Sequence, residues 1–101
     1  MVKGSHKVSV LQGVEKECYI TGRTDNLEKH HCYYGVKGRA ISDKYGFWVW
    51  LIPEYHRGTN GVHGKNGHEL DMELKQACQM AYEEAGHTRQ EFIQLIGKNY
   101  L

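Results

Sequence analysis

The chain has 101 residues, of which 40% are hydrophobic and 25% are charged, with a formal net charge of +1. This composition is ordinary for one globular domain with a modest core, and it excludes wholesale disorder. No apolar run approaches the roughly 20 residues that span a bilayer, and the N-terminus lacks a signal-peptide core, so a cytosolic location is expected. The cysteines argue against a disulfide framework and leave metal binding or simple burial. They are Cys18, Cys32 and Cys78.

Charge is distributed unevenly along the chain. Residues 29–65 hold six basic side chains against two acidic ones, whereas residues 66–91 hold six acidic side chains against two basic ones. The basic middle third indicates a surface for a polyanion, and a loop region that simply carries lysines is an equally good explanation. The acidic third is typical of a solvated helix face.

The first third of the chain is predicted to form short strands. Alternation of apolar and polar residues over 6–12, "HKVSVLQ", favours one strand. The segment "ECYITGRTDNLEKHH" predicts a second strand, a turn at Gly22–Asn26 and a third strand. This last strand is expected to end at the adjacent pair His30 and His31.

A strand and a short helix are predicted in the middle of the chain. Residues 35–46, "GVKGRAISDKYG", favour a glycine-bearing loop. The aromatic and branched run Phe47–Ile52 is typical of a strand. Pro53 follows directly and suits the first turn of a helix, so "PEYH" is predicted to start one, with His56 in that turn.

Two longer helices are predicted at the C-terminus. Over residues 68–85 apolar side chains recur at three- and four-residue steps, and Gly86 is expected to end this main helix. Thr88 and Glu91 form a capping-box pattern that predicts a last short helix. The segment of about 68–97 is therefore predicted to be a helical scaffold.

Histidines occur at special points of this layout. His30 and His31 end a strand, His56 lies at a helix start, and His63 follows in "HRGTNGVHG". This order resembles the HNH (ββα-metal) endonucleases. From about Cys18 onward the chain looks more narrowly similar to phage and prophage HNH-type proteins related to recombination-associated nucleases. The resemblance implies one α+β domain over residues 1–101: a ββα-metal core at about 18–64, preceded by short N-terminal strands and followed by the two C-terminal helices.

The resemblance also implies chemistry, namely metal-dependent hydrolysis of DNA phosphodiester bonds. His30, His56 and His63 would be the metal ligands, although His63 could instead be a solvated loop residue. His31 would be the general base that takes a proton from water, a role that suits an imidazole because the ordinary pKa of this group is about 6.5. A kink at the strand end would let one ring of the pair face the metal while the other faces the scissile phosphate. One divalent ion is implied, Zn, Ni, Mn or Mg, and imidazole ligands favour the transition metals over Mg²⁺.

The sequence departs from the family pattern at two places. Many HNH domains hold a structural zinc on two Cys-x-x-Cys-like pairs, but only one of the four matching positions here is a cysteine, so no structural zinc is expected. The Asn that commonly precedes the second strand is also missing, and Asn60 is the candidate that would orient His31 instead. The four matching positions are Cys18, Thr21, Ile52 and Tyr55.

Double-stranded DNA is the expected partner, with a homodimer or a phage or recombination protein as further partners in a phage- or prophage-encoded product of a bacterial host. Basic side chains near the motif could contact phosphates, and solvated charges are an equal alternative. The alternative function is a nucleic-acid- or protein-binding module that keeps the fold and metal without cleavage. The basic candidates are Lys37, Arg39, Lys44 and Arg57.

Overall fold

The computed structural model describes residues 8–101. It is a small α+β fold in which helices surround a two-stranded antiparallel sheet. Among the described residues, no helix combines the length and apolar character needed to cross a bilayer. The elements are β1 (Glu28–His31), α1 (Val36–Tyr45), β2 (Trp48–Leu51), α2 (Pro53–His56), α3 (His68–Glu84) and α4 (Arg89–Ile96).

The sheet places His30 in the core and turns His31 to the opposite face of β1. β1 runs antiparallel to β2, with His30 opposite Val49 and His31 opposite Trp48. Val49 and Leu51 are fully buried, as expected for a branched and aromatic strand. The predictions of a strand that ends at His31 and of a strand within 47–52 are therefore confirmed.

The C-terminal helices form the other wall of the core, as predicted. α3 buries Leu74 and Cys78. α4 begins with the predicted capping box: the Glu91 N–H donates to Thr88 Oγ1 (3.0 Å), and the Thr88 N–H donates to Glu91 Oε1 (2.7 Å). Phe92 of α4 is fully buried against the rings of the central core.

The prediction of a loop over residues 35–46 is wrong, because this segment forms helix α1, Val36–Tyr45. Gly38 permits a close approach of the helix to the preceding chain, since a Cβ there would lie 2.8 Å from the backbone carbonyl atoms of Tyr33. Gly46 ends the helix in the left-handed conformation (φ 80°). The glycines therefore serve packing and capping rather than a loop.

The N-terminal strands predicted from the sequence are also wrong. In residues 8–12, Ser9 makes only an isolated bridge with Gly13, and the chain between them turns. Residues 6 and 7 of that predicted strand lie outside the described residues. Within residues 8–101 the fold is therefore α+β, and this part of the chain lacks the short strands expected before β1.

The strand predicted before Gly22, over residues 17–21, is replaced by a tight turn. The Gly22 N–H donates to the carbonyl of Cys18 (2.8 Å), and the Cys18 N–H donates to the carbonyl of Arg23 (2.7 Å). Gly22 has a φ of 79°, which an extended strand cannot accommodate. The Tyr19 N–H donates to the carbonyl of Trp50 (2.8 Å), so the turn is attached to β2.

Candidate metal centre

Three histidines from three parts of the chain converge at one point. His30 comes from β1, His56 from α2 and His63 from the following loop, and one nitrogen of each lies within 4.8 Å of the others. The ring centroid of His30 is 5.3 Å from that of His56 and 5.1 Å from that of His63, and the last two are also 5.1 Å apart. Such a group can hold a metal ion while leaving coordination positions open.

The burial of His30 supports a ligand role. It is fully buried, and neither of its ring nitrogens has a hydrogen-bond partner among the described residues. Leaving a buried polar atom unpaired costs about 1–3 kcal/mol, so such atoms are uncommon in folded proteins. Burial, and then the neighbouring histidines, lower the pKa of His30 to about 3. The ring is therefore neutral over most of the pH range, with a lone pair available for a cation.

Backbone hydrogen bonds between the loop and α2 place His63 next to His56. The Val62 N–H donates to the carbonyl of Tyr55, and the His63 N–H donates to the carbonyl of His56, both at 3.0 Å. Gly61 makes this return possible, because a Cβ there would lie 2.7 Å from the carbonyl carbon of Tyr55. The glycine-rich sequence after α2 therefore serves to fold the loop onto the helix. His63 is exposed, so the cluster faces solvent on this side.

Glu28 fixes the ring of His56, a role that the sequence analysis missed. Its Oε1 lies 2.8 Å from His56 Nδ1, and its carboxylate also accepts hydrogen bonds from Arg57 at 2.8–3.1 Å. Hydrogen bonds from Arg57, and then from His56, lower the pKa of Glu28 to about 2. Because an ionised carboxylate only accepts, Nδ1 of His56 carries the proton and Nε2 is left for a metal. The signal was present, since Glu28 and His30 share one face of a strand.

On the opposite face of β1, His31 is held by Asp43 of α1. His31 Nε2 lies 3.0 Å from Asp43 Oδ1, and Lys29 Nζ lies 2.8 Å from the same oxygen. Burial raises the pKa of Asp43, but hydrogen bonds from Lys29 and His31 lower it by more, so its net shift is downward. The ionised carboxylate therefore places the imidazole proton on Nε2 and leaves Nδ1 of His31 as an acceptor.

Two expectations about His31 are thereby corrected. No kink separates it from His30, because regular pleating of β1 already turns the two rings to opposite faces. Nor is Asn60 its partner: Asn60 Oδ1 accepts a hydrogen bond from Asn66 Nδ2 (3.1 Å) at the surface. The side chain that hydrogen-bonds His31 and orients its ring is that of Asp43.

The two faces meet at an open cleft of about 410 Å³, which His31, His56 and His63 all line. Arg39 and Arg57, two of the four predicted phosphate contacts, line the same cleft. Lys37 lines a neighbouring pocket instead. Lys44 does not line the cleft, and its Nζ lies 5.7 Å from the centroid of the adjacent Tyr45 ring.

Tyr34 forms a wall of the cleft beside the histidines. Its ring centroid is 5.1 Å from that of His63 and 6.2 Å from that of His30. Its hydroxyl donates to Asp71 Oδ1 (3.2 Å), and Lys75 Nζ lies 3.4 Å from the same hydroxyl. Tyr34 is thus anchored to α3, a contact that no sequence pattern indicated.

Neither family models, nor curated proteins, nor solved structures give a match to this chain. The chemistry of the site rests on its side chains. Three imidazoles surround one point, and a fourth imidazole held by a carboxylate lies beside them. An arrangement of this kind can combine a cation with a proton acceptor at the same cleft.

Proposed function

We propose that the chain is a metal-dependent endonuclease of the HNH (ββα-metal) type, which hydrolyses phosphodiester bonds of DNA. One observation carries this proposal: the cleft that receives two of the clustered histidines is also lined by His31, whose tautomer Asp43 fixes. The order β1, β2, α2, with the histidines on β1, on α2 and just after α2, adds support.

The donor set favours a transition metal. Three imidazoles suit Zn²⁺, Ni²⁺ or Mn²⁺, whereas Mg²⁺ prefers oxygen ligands. His30, His56 and His63 would hold the ion, with Nε2 as the donor of His56 because Glu28 occupies Nδ1. When bound, a divalent cation stabilises the negative charge that develops on the leaving oxygen.

His31 is the group that activates water. Its Nδ1 accepts a proton from a water molecule as the water oxygen attacks phosphorus and the bond to the leaving oxygen breaks. The imidazolium formed in this step is stabilised by the Asp43 carboxylate at 3.0 Å, as in other histidine–carboxylate pairs. Asp43 is therefore a positioning residue, and His31 is the catalytic one.

The arginines of the cleft provide phosphate recognition. A guanidinium can donate two parallel hydrogen bonds to phosphate oxygens. Arg39 is exposed and forms no ion pair within residues 8–101, so its charge is fully available. Arg57 already pairs with Glu28, and it contributes less free charge to the cleft.

Nicking of supercoiled plasmid tests the proposal directly. We expect the protein to nick plasmid in Mn²⁺, Ni²⁺ or Mg²⁺, and His31→Ala to lower the rate by about 10²–10⁴-fold, the usual contribution of a general base. Metal content should remain one ion per chain in this variant. His68→Ala is the matched control, because His68 is exposed and belongs neither to the cluster nor to the cleft lining.

The same experiment separates the alternative function. Retention of plasmid without nicking under all three ions would contradict the nuclease and favour a metal-containing binding module. Equal nicking by the His31→Ala and wild-type proteins would contradict the assignment of the base. Loss of nicking in His68→Ala would also count against a specific role of His31.

A further inference from the structure

A second pocket, of about 280 Å³, lies next to the histidine cleft. Tyr34 lines both the cleft and this pocket. Its other aromatic and aliphatic walls come from three parts of the chain: Tyr33 after β1, Ile41 of α1, and Ile96 and Tyr100 at the C-terminus. A group that enters the pocket is therefore adjacent to a group bound in the cleft.

The walls of the pocket are aromatic and aliphatic. The ring of Tyr33 is buried, its hydroxyl donates to the carbonyl of Lys75 (2.6 Å), and its centroid lies 5.7 Å from that of Tyr100. Ile41 and Ile96 are half-buried and pack on the core. Pockets lined in this way take flat, apolar-faced groups, and aromatic side chains are the usual platforms for nucleobases.

The pocket carries one uncompensated positive charge. Lys75 lines it, but Asp71 neutralises this ammonium at 3.0 Å, and both side chains are largely buried. Lys37 also lines it, is exposed, and has no ion pair within residues 8–101. The pocket therefore favours a flat ring whose edge oxygens can accept a hydrogen bond from this ammonium, as the carbonyl groups of a nucleobase can.

Tyr34 divides the pocket from the cleft as a fixed partition. Its hydroxyl is held by Asp71 and Lys75, and Lys75 Nζ lies 4.4 Å from its ring centroid. Its ring is also in contact with His63 (5.1 Å between centroids). A ligand that spans the partition would place its anion beside the histidines and its ring in the pocket, which is the layout of a nucleotide.

We propose that this pocket, named here the base pocket, receives an unpaired nucleobase of the DNA strand whose phosphate lies in the cleft. The inference rests on the proposed nuclease function. A base inside a duplex cannot enter such a pocket without leaving the stack, at an energetic cost that is least where the base is already unpaired. The preferred substrate is therefore DNA with an unpaired nucleotide beside the scissile phosphate, as at a bulge, gap or overhang.

Methyl NMR on the metal-free protein tests the base pocket without requiring cleavage. Thymidine 5′-monophosphate is expected to shift the δ1-methyl signals of Ile41 and Ile96, whereas 2-deoxyribose 5-phosphate, which lacks the base, is expected to leave them in place. Ile20, exposed in the turn attached to β2, is the internal control. Unchanged Ile41 and Ile96 signals with the nucleotide would overturn the inference, and this result would be independent of any failure to nick plasmid.

Substitutions test whether the pocket contributes to DNA binding. Ile96→Trp fills it, and we expect the affinity for a duplex with one unpaired thymidine to fall by roughly 5- to 150-fold, the equivalent of one lost base–aromatic stack. Affinity for the fully paired duplex should not change. Gln94→Trp, on an exposed position of α4, is the matched control. Equal affinities of the Ile96→Trp and wild-type proteins for the bulged duplex would contradict the inference.

A second pair of variants keeps the test decisive if Ile96→Trp does not fold. Lys37→Ala and Lys44→Ala remove the same charge from exposed positions of α1, but only Lys37 lines the pocket. We expect Lys37→Ala to reduce the preference for bulged over paired duplex and Lys44→Ala to leave it unchanged. Equal effects of both variants on this preference would contradict a role of the pocket.

Discussion

The two faces of β1 differ in the burial and hydrogen bonding of the histidine that each carries. On one face His30 is fully buried and its nitrogens have no partner among the described residues, while the carboxylate of the strand, Glu28, holds a histidine of α2. On the other face His31 reaches the cleft, and a carboxylate of a helix, Asp43, holds it. Pleating alone can therefore separate the imidazole proposed to bind a cation from the one proposed to accept a proton.

Each face also pairs its carboxylate with a cation. Arg57 hydrogen-bonds Glu28, and Lys29 hydrogen-bonds Asp43. These cations help to keep both carboxylates ionised, and an ionised carboxylate determines which nitrogen of its histidine is protonated. On both faces a carboxylate that is paired with a cation therefore sets the tautomer of a histidine. The faces differ mainly in their own histidine, because His30 is buried without a partner among the described residues and His31 is open to the cleft.

Removing the buried histidine should have the largest effect. In His30→Leu we expect stoichiometric Zn²⁺ binding to be lost, together with the rise in melting temperature that zinc gives to the wild-type protein. The metal-free variant should remain folded, because leucine fills the site without leaving unpaired polar atoms. Elemental analysis and thermal unfolding with and without zinc measure both effects. One zinc ion per chain in the variant would contradict the cluster as the metal site.

On the other face, Asp43→Asn should lower the nicking rate without releasing the metal. An asparagine amide can donate to Nε2 of His31, which favours the tautomer that carries its proton on Nδ1 and so removes the base. Loss of the general base lowers kcat by about 10²–10⁴-fold, and the decrease in this variant should not exceed that range. The KM for plasmid should be unchanged.

Two comparisons keep this prediction specific. Asp25→Asn makes the same change at an exposed aspartate that pairs with Arg23, and it should nick at the wild-type rate. In the double variant Asp43→Asn/His31→Ala, no further loss beyond His31→Ala is expected, because Asp43 acts through His31. Additive losses would show that Asp43 has a separate function.

Glu28→Gln should weaken the metal site by less than the loss of a ligand. Glutamine keeps an acceptor for His56 Nδ1 but not the charge, and loss of such an outer carboxylate typically costs about 10–100-fold in metal affinity. At saturating metal the nicking rate should approach that of the wild-type protein. Competition with a zinc chelator measures the affinity, and Glu15→Gln, at an exposed glutamate, is the control. An unchanged zinc affinity would contradict the role of Glu28.

The parts that local sequence patterns determine were predicted well. Pro53 marked the start of α2, the Thr88–Glu91 pair marked α4, and branched and aromatic residues marked β2. These signals depend only on residues that are close in sequence, so they can be recognised without knowledge of the fold. The grouping of His30 with the later histidines was implied by the resemblance to the HNH endonucleases and not by these local patterns.

The missed helix explains the missed positioning residue. Gly35 just before α1 and Gly38 inside it resemble loop signals. Ile41 and Tyr45, at helical spacing before Gly46, were a weak sign of a helix. Only the contact of Gly38 with the backbone of Tyr33 shows why glycine is needed there. Asp43 lies on α1, so its contact with His31 could not be expected while this segment was predicted to be a loop. Asn60 was instead the candidate partner because the family pattern places an Asn near this histidine.

The smallest expected effect concerns the metal-free protein in acid, and it distinguishes the buried face from the open one. The pKa of His30 is about 3 in the folded chain, against about 6.5 for an ordinary histidine. Between these values the unfolded chain binds a proton that the folded chain does not, so the free energy of unfolding falls as the pH is lowered. The slope from this group approaches about 1.4 kcal/mol per pH unit well below the unfolded pKa, falls to about half of that at the unfolded pKa and vanishes at higher pH. Denaturant unfolding between about pH 5 and 6.5, with a chelator present, measures this slope. In this range Glu28 and Asp43 remain ionised in the folded chain and largely so in the unfolded chain. His30→Leu should flatten the dependence by this amount, whereas equal slopes in the two proteins would mean that His30 takes up its proton in the folded state.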